Sequence, residues 1–226
     1  MRDRIEKRRR PGRTERRGRI LEAARDVFLK KGYFKTNVRD IARAAALSPG
    51  AIYYYFGAID EIYAEICEAS FQMINRFLER EAAREGTSLG KLGNMALAFA
   101  RFYREHPEYF DLFAFSDLGW KRVGLRDELT VRLDRALDTA IAHVQSVIEE
   151  GIANGEMNPP GDPRQIAYVL WSGIEGALSI NRRGLLENAD FEIDALIETQ
   201  MRVILRGLAD GPQGPRDGDG GPSAGR

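Results

Sequence analysis

Apolar residues recur at helical spacing along nearly the whole chain, and no segment shows a convincing run of the apolar/polar alternation of a half-buried strand. Ile20, Ala24, Val27 and Phe28 fall at i, i+4, i+7 and i+8, the core stripe of an amphipathic helix that Gly32 ends at its C′ position. Thr36 or Asn37 can cap a short second helix with Val38, Ile41, Ala42 and Ala45 facing inward, and Ala46-Leu47-Ser48 breaks it. Ser48 caps a third helix, with Pro49 at the N1 position that tolerates a missing N–H. A short helix, a turn of about three residues and a second short helix form a helix-turn-helix pattern.

That third helix carries the run Ile52-Tyr53-Tyr54-Tyr55-Phe56. Neighbouring side chains on a helix lie about 100° apart, so four consecutive rings cannot share one buried face. Ile52 and Phe56, at i and i+4, are expected to pack inward with Tyr53 at their border, leaving Tyr54 and Tyr55 outward. An outward tyrosine offers an apolar ring to a thymine methyl and a hydroxyl to a phosphate or base edge. Gly50 and Ala51 leave the front of the helix bare. An aromatic knob in a protein interface is the other reading of these rings.

Downstream, residues 60 to 85 read as one long helix, and Ser88 caps another that runs to His106-Pro107. A short aromatic-rich segment, Glu108 to Ser116, precedes a long helix from Asp127 to Asn154 with Val131, Ala136, Ala140, Val144, Val147 and Ile148 as its stripe. Asp162-Pro163 opens the next helix, ended by Gly184, and the last spans Phe191 to Leu208. The residues after Leu208 are too rich in Gly, Pro and charge to fold. The expected architecture is all-α with about nine helices. It divides into a basic flexible arm (1–15), a three-helix domain with the helix-turn-helix (16–58), a C-terminal helical ligand-binding and dimerisation domain (59–208) and a disordered tail (209–226).

Composition adds constraints. A chain of 226 residues with 43% hydrophobic content buries a real core. Its single cysteine, Cys67, excludes a disulfide framework and a thiolate metal cage within one chain. No apolar run resembles a signal peptide or reaches the roughly 20 residues of a membrane span, so the expected location is cytoplasmic, without a membrane partner. The net charge of +0 hides a segregation: residues 1 to 57 hold 16 Lys and Arg against 6 Asp and Glu, a balance of +10, and the remainder balances at −10. The basic end is built for a polyanion. The two histidines, His106 and His143, form no metal motif, no Gly-rich phosphate loop is present, and Gly173-Ile174-Glu175-Gly176 lacks a hydrolase nucleophile. No catalytic residue, metal site or cofactor is expected.

The chain resembles the TetR family of transcriptional regulators. The residues that carry the resemblance are Ile20-Leu21-Glu22-Ala23-Ala24, Phe28, Gly32-Tyr33, Thr36-Asn37-Val38-Arg39-Asp40-Ile41-Ala42, Ala45, Ser48, Gly50 and Ile52-Tyr53-Tyr54-Tyr55-Phe56. The resemblance implies DNA contacts by Thr36 and Tyr53 at phosphate and by Arg39, Gly50, Ala51, Tyr54 and Tyr55 at the groove, with Ser48 at the helix start. Two departures stand out. Ala46 occupies a turn position where the family usually has glycine, which demands a different turn or a strained left-handed alanine. Ile59 replaces the lysine that usually meets a phosphate, a loss the basic arm is expected to offset.

The resemblance also implies a ligand cavity and a dimer. Candidate ligand contacts are Phe99, Phe102, Tyr103, Phe110, Phe113, Tyr168, Trp171 and Glu175, although aromatic residues at helical spacing also serve as plain core. Glu175, one turn beyond Trp171, is either an inward carboxylate favouring a cationic or hydrogen-bond-donating ligand or a charge on the rim or dimer surface. Ile166, Leu170, Gly173, Ala177, Ile197, Met201, Ile204 and Leu205 are expected to pair the last two helices with a second copy as a four-helix bundle; use of the same stripe in the monomer core is the alternative. The implied function is a ligand-responsive homodimeric repressor that binds a palindromic operator and is released by a small, mostly apolar or aromatic effector. The reading from a different class is a helical adaptor whose basic arm binds RNA or anionic lipid.

Overall fold

The computed structural model of the chain describes residues 12–114 and 124–210. All regular structure among these residues is helical: α1 (Arg13–Lys31), a 3-10 turn at Tyr33–Lys35, α2 (Val38–Ala44), α3 (Pro49–Tyr55), α4 (Ile59–Ala82), α5 (Ser88–Glu105), α6 (Pro107–Ala114), α7 (Asp127–Ala153), α8 (Pro163–Arg182) and α9 (Ile193–Asp210). The arm up to residue 11 and the tail beyond 210 lie outside the described residues. The last helix runs two residues past the expected end at 208.

Two compact units emerge, and their boundary differs from the expected division at residue 58. The first holds the chain up to Gln72 together with His106–Ala136; the second holds Met73–Glu105 and the chain from Leu137 onward. α4 and α7 each contribute residues to both.

In the first unit, Ile20, Ala24 and Phe28 of α1 meet Ile41 and Ala42 of α2, Ile52 and Phe56, and Ile62, Tyr63, Ile66 and Cys67 of α4. Leu112, Leu125, Leu129 and Leu133 complete this core. The Phe28 ring stands edge-on to Tyr63, 5.5 Å between centroids. Tyr63 donates its hydroxyl to the Leu112 carbonyl at 3.0 Å, which satisfies a buried polar group. Burial pushes the Cys67 thiol up to about 12, so it is an inert core residue. Glu61, Glu65 and Glu68, on one side of α4, pair with Arg126, Arg17 and Arg132.

The expected stripe on α7 is revised by this division. Val131 is exposed, whereas Leu129 and Leu133 are buried in the first core and Ala140, Ile141, Val144, Val147 and Ile148 are buried further along the helix. One helix serving two cores shifts its buried face along its length, and a single periodic stripe cannot describe both.

In the second unit, α9 packs on α5 and α8. Lys91 of α5 pairs with Glu150 of α7 at 2.7 Å, and the Ser88 N–H donates to Glu156 at 2.7 Å. At Gly173, where α8 meets α9, an added β-carbon would meet the amide end of the flexible Gln200 side chain, which would have to swing aside. Ile166, Leu170, Ala177, Ile197 and Met201 are buried within the protomer, and Ile204 and Leu205 are partly covered. The apolar stripe expected at a dimer interface is therefore consumed by the protomer's own core, since an amphipathic helix has one strongly apolar face and α5 already takes it.

Local signals set the helix ends. Gly32, at φ 76°, closes α1 with its N–H on the Phe28 carbonyl at 2.7 Å. Asn37 and Asp40 form a reciprocal capping box at the start of α2. Asp162 caps α8 through the N–H groups of Arg164 and Gln165. Ala46 adopts φ 54°, alone among the described non-glycine residues. The left-handed region costs alanine about 1 kcal/mol. Ala46→Gly is expected to raise unfolding stability by about 0.5–1 kcal/mol in a urea titration, with α2 and α3 unchanged.

Candidate nucleic-acid interface and effector cavity

α3 starts where Ser48 accepts the Ala51 N–H at 3.1 Å, with Pro49 in its first turn. Ile52 and Phe56 anchor it to the core at 1% and 2% exposure. The other rings divide differently from expectation. Tyr53 and Tyr54 are the open pair, at 56% and 69% exposure, while Tyr55 is half-buried and packs on the core. The reason lies in the anchor: Tyr55 is three residues beyond Ile52, on the same face, whereas Tyr53 and Tyr54 follow Ile52 by roughly 100° and 200° of rotation. The Tyr54 ring meets Tyr55 edge-on at 5.1 Å, and the Arg13 guanidinium lies 5.8 Å from its centroid. Gly50 is exposed with only the Ser48 hydroxyl, at 4.0 Å, near its absent β-carbon. Ala51 is half-buried.

α2 adds charge beside this face. Arg39 is exposed, and Arg43, one turn further, has 80% of its side chain open. Motif spacing alone does not single out Arg43, although its i+4 relation to Arg39 is visible in the chain. Thr36 is a correction. Its hydroxyl donates to the Gly32 carbonyl at 2.7 Å and its N–H to the Tyr33 carbonyl at 3.1 Å, so both donors are spent on the turn between α1 and α2. Ile59 begins α4 half-buried against the core. Near it the Glu61 carboxylate accepts the Gly57 N–H at 2.7 Å and pairs with Arg126 at 2.5 Å.

Two carboxylates here have depressed pKa values. Lys31, at 2.7 Å, together with the Asn37 N–H holds Asp40 below the usual range; Arg126 followed by the Gly57 N–H does so for Glu61. A depressed folded pKa gives stability that is present above the unfolded value of about 4 and lost as pH falls through the folded one. An Asp40→Asn, Glu61→Gln variant is expected to be less stable than the wild type at neutral pH. The two unfolding curves should converge as pH falls below about 4.

In the second unit, Leu78, Leu92, Met95, Ala96, Phe99, Val144, Leu170, Trp171, Ile174 and Met201 surround a cavity of about 30 Å³. That leaves room for a water-sized molecule and for no larger ligand. Phe99 and Trp171 pack at 4.9 Å between centroids, and the indole N–H, the one polar side-chain group of the lining, donates to Glu175 at 2.9 Å. Burial, then the Glu175 charge, raises the Tyr103 phenol well above its ordinary value.

Of the expected ligand residues, Phe99 and Trp171 line the cavity. Phe102 and Tyr103 are buried behind it, where Phe102 packs against Phe77 and Tyr103 edge-on to Phe99. Tyr168 is corrected: it is exposed on α8 and stacks near Arg164 at 5.7 Å. Glu175 is exposed too, as a charge on the rim or on a dimer surface would be. The side chains of Phe110 and Phe113 lie outside the described residues. The lining that aromatic counting misses is aliphatic and sulfur-bearing, and it comes from four helices besides α8.

These features define a helix-turn-helix protein with a second helical unit. The first part of the chain, residues 20–66, matches the model for bacterial regulatory proteins of the tetR family, and residues 92–204 match that for a tetracyclin repressor-like C-terminal domain. The chain belongs to the TetR family of transcriptional regulators. It is 21% identical over 189 residues to the fatty acid metabolism regulator protein of Bacillus subtilis strain 168, covering 84% of this chain and 93% of that one. It is 25% identical over 196 residues to the HTH-type transcriptional regulator RutR of Escherichia coli K12, covering 84% and 88%. The solved Bacillus subtilis FadR in complex with stearoyl-CoA shares the fold at a TM-score of 0.67 and 20% identity, over 84% of this chain and 98% of that one. No helix among the described residues is long and apolar enough to cross a membrane.

Proposed function

We propose that this chain is a homodimeric, effector-responsive transcriptional repressor that binds a palindromic DNA operator and is released by a ligand with a hydrocarbon chain. The observation that carries the DNA reading is the open face of α3, where Tyr53 and Tyr54 stand exposed beside the bare Gly50. In this role Arg39, Gly50, Ala51, Tyr53 and Tyr54 meet the groove, while Ser48 and Arg43 meet the backbone. Thr36 and Tyr55 shape the motif from inside. Arg13, beside Tyr54, brings the start of α1 to the same face. The protein acts in the cytoplasm, without a cofactor and without catalysis of its own.

The almost wholly apolar walls of the cavity support an aliphatic effector, in keeping with the stearoyl-CoA bound by the solved relative. A space of about 30 Å³ holds no such chain as it stands. The effector therefore binds a conformation in which α5, α8 and α9 have parted, and it favours that conformation by its differential affinity. Dimerisation falls to the exposed outer faces of α8 and α9, with Val169, Ser172, Gly176 and Val203.

Selection of bound duplexes from a random pool at physiological salt tests this reading. An inverted repeat is expected, because two copies related by a two-fold axis read two half-sites. An unpatterned pool would favour the adaptor.

A further inference from the structure

α9 carries charge in a pattern that is complementary to itself. Asp194, Glu198, Arg202 and Arg206 recur every four residues, a single i+4 ridge on which two acids precede two bases. The order of signs is symmetric about residue 200. Turned end for end by a two-fold axis at that level, the ridge sets each acid opposite a base. Ridges of i+4 spacing are those that meet when helices cross in the commonest packing class.

The neighbours of the ridge place it at a surface. Ile197, Met201 and Leu208 turn into the protomer core, and Val203, at 68% exposure, stands on the open side. Asp194 is already paired with Arg104 of α5, which leaves the central members. Glu198 and Arg202 are both exposed and, among the described residues, take part in no ion pair. Their acid-before-base spacing favours pairing within one helix, yet they do not pair. On α8, the exposed Val169 and the bare Gly176 supply apolar contact and close approach.

We propose that Glu198 and Arg202 fix the register of the homodimer, each Glu198 meeting the Arg202 of a second copy so that two equivalent ion pairs flank the axis. This rests on the homodimer reading above and adds to it which copies can pair. A related chain with the opposite order of charges meets like charge at the axis and is rejected. The apolar contacts supply affinity and the charges supply selectivity.

The test uses four full-length proteins: wild type, Glu198→Arg, Arg202→Glu and the exchanged Glu198→Arg, Arg202→Glu protein. Sedimentation velocity across a dilution series reads dimer dissociation. The proposal expects each single variant to dissociate at concentrations on the order of tenfold or more above wild type, since both pairs become repulsive. An equimolar mixture of the two single variants should recover dimer, as a heterodimer detected by a tag on one partner, and the exchanged protein should recover the homodimer. The mixture also controls for folding, because misfolded chains would not complement. If wild type is dimeric and both single variants dimerise as tightly as it does, the register is wrong while the dimer stands. Weakened single variants that fail to complement overturn it as well. A monomeric wild type would refute the dimer reading itself.

Discussion

A Tyr53→Ala, Tyr54→Ala protein is expected to lose most of its discrimination between operator and scrambled duplex while unfolding at nearly the wild-type midpoint. Both rings are open, so their removal leaves the core intact. Removing one base contact costs about 1–3 kcal/mol of specificity. Fluorescence anisotropy with operator and scrambled duplexes at one salt concentration reads the difference. Tyr55→Ala should separate from this pair, because its ring packs on the core: stability falls and discrimination per folded molecule is retained. If Tyr55→Ala alone removed specificity at unchanged stability, the assignment of inward and outward rings would be wrong.

The second large effect concerns the effector unit, where two aromatic residues are expected to behave differently. Phe102 is 1% exposed and absent from the cavity lining, so Phe102→Ala should cost about 3–5 kcal/mol of stability. Trp171 is half-buried and forms one wall. Trp171→Ala should leave a folded protein that binds a long-chain acyl probe, stearoyl-CoA, at least about tenfold more weakly, a difference of about 1.4 kcal/mol. Urea unfolding and calorimetric titration of the same preparations separate the two outcomes.

The helix-turn-helix is legible in the sequence because its signals are local. A serine cap followed by proline, a cap at Thr36 or Asn37 and a four-residue spacing of apolar side chains each act within one or two turns, and in the structure Asn37 is the second cap. Ala46 is legible for the same reason, since one backbone angle decides it. The errors fall where the direction of a side chain depends on a neighbour about one turn away. Thr36 reads as an open donor until the Gly32 carbonyl is folded back onto it. Tyr55 reads as outward unless Ile52 is taken as the anchor in place of the border between Ile52 and Phe56.

Larger misreadings share a cause. An apolar stripe tells that a helix is covered and not by what, so the stripes on α8 and α9 suggest a second copy although α5 and the cavity take them. The 106–136 segment follows the same rule: Leu112, Leu125, Leu129 and Leu133 pack into the core of the DNA-binding unit across more than forty residues of sequence, which no periodicity within the segment reports. Aromatic rings are conspicuous in a sequence, and of those proposed only Phe99 and Trp171 line the cavity of the second unit. Its lining is mostly Leu, Met, Ile and Val, which composition cannot separate from ordinary core.

In the proposed function one molecule holds two sites whose occupancies oppose each other. Linkage makes this measurable in either direction: a ligand that weakens operator binding by some factor must itself bind the operator complex more weakly by the same factor. The most direct measurement is therefore the affinity of stearoyl-CoA for the free protein and for the protein saturated with its selected operator, followed by tryptophan fluorescence under identical salt. Affinity for the operator complex is expected to be lower by about 5- to 150-fold, the range of ordinary coupling energies. Equal affinity in the two states, with the probe shown to bind, would contradict it.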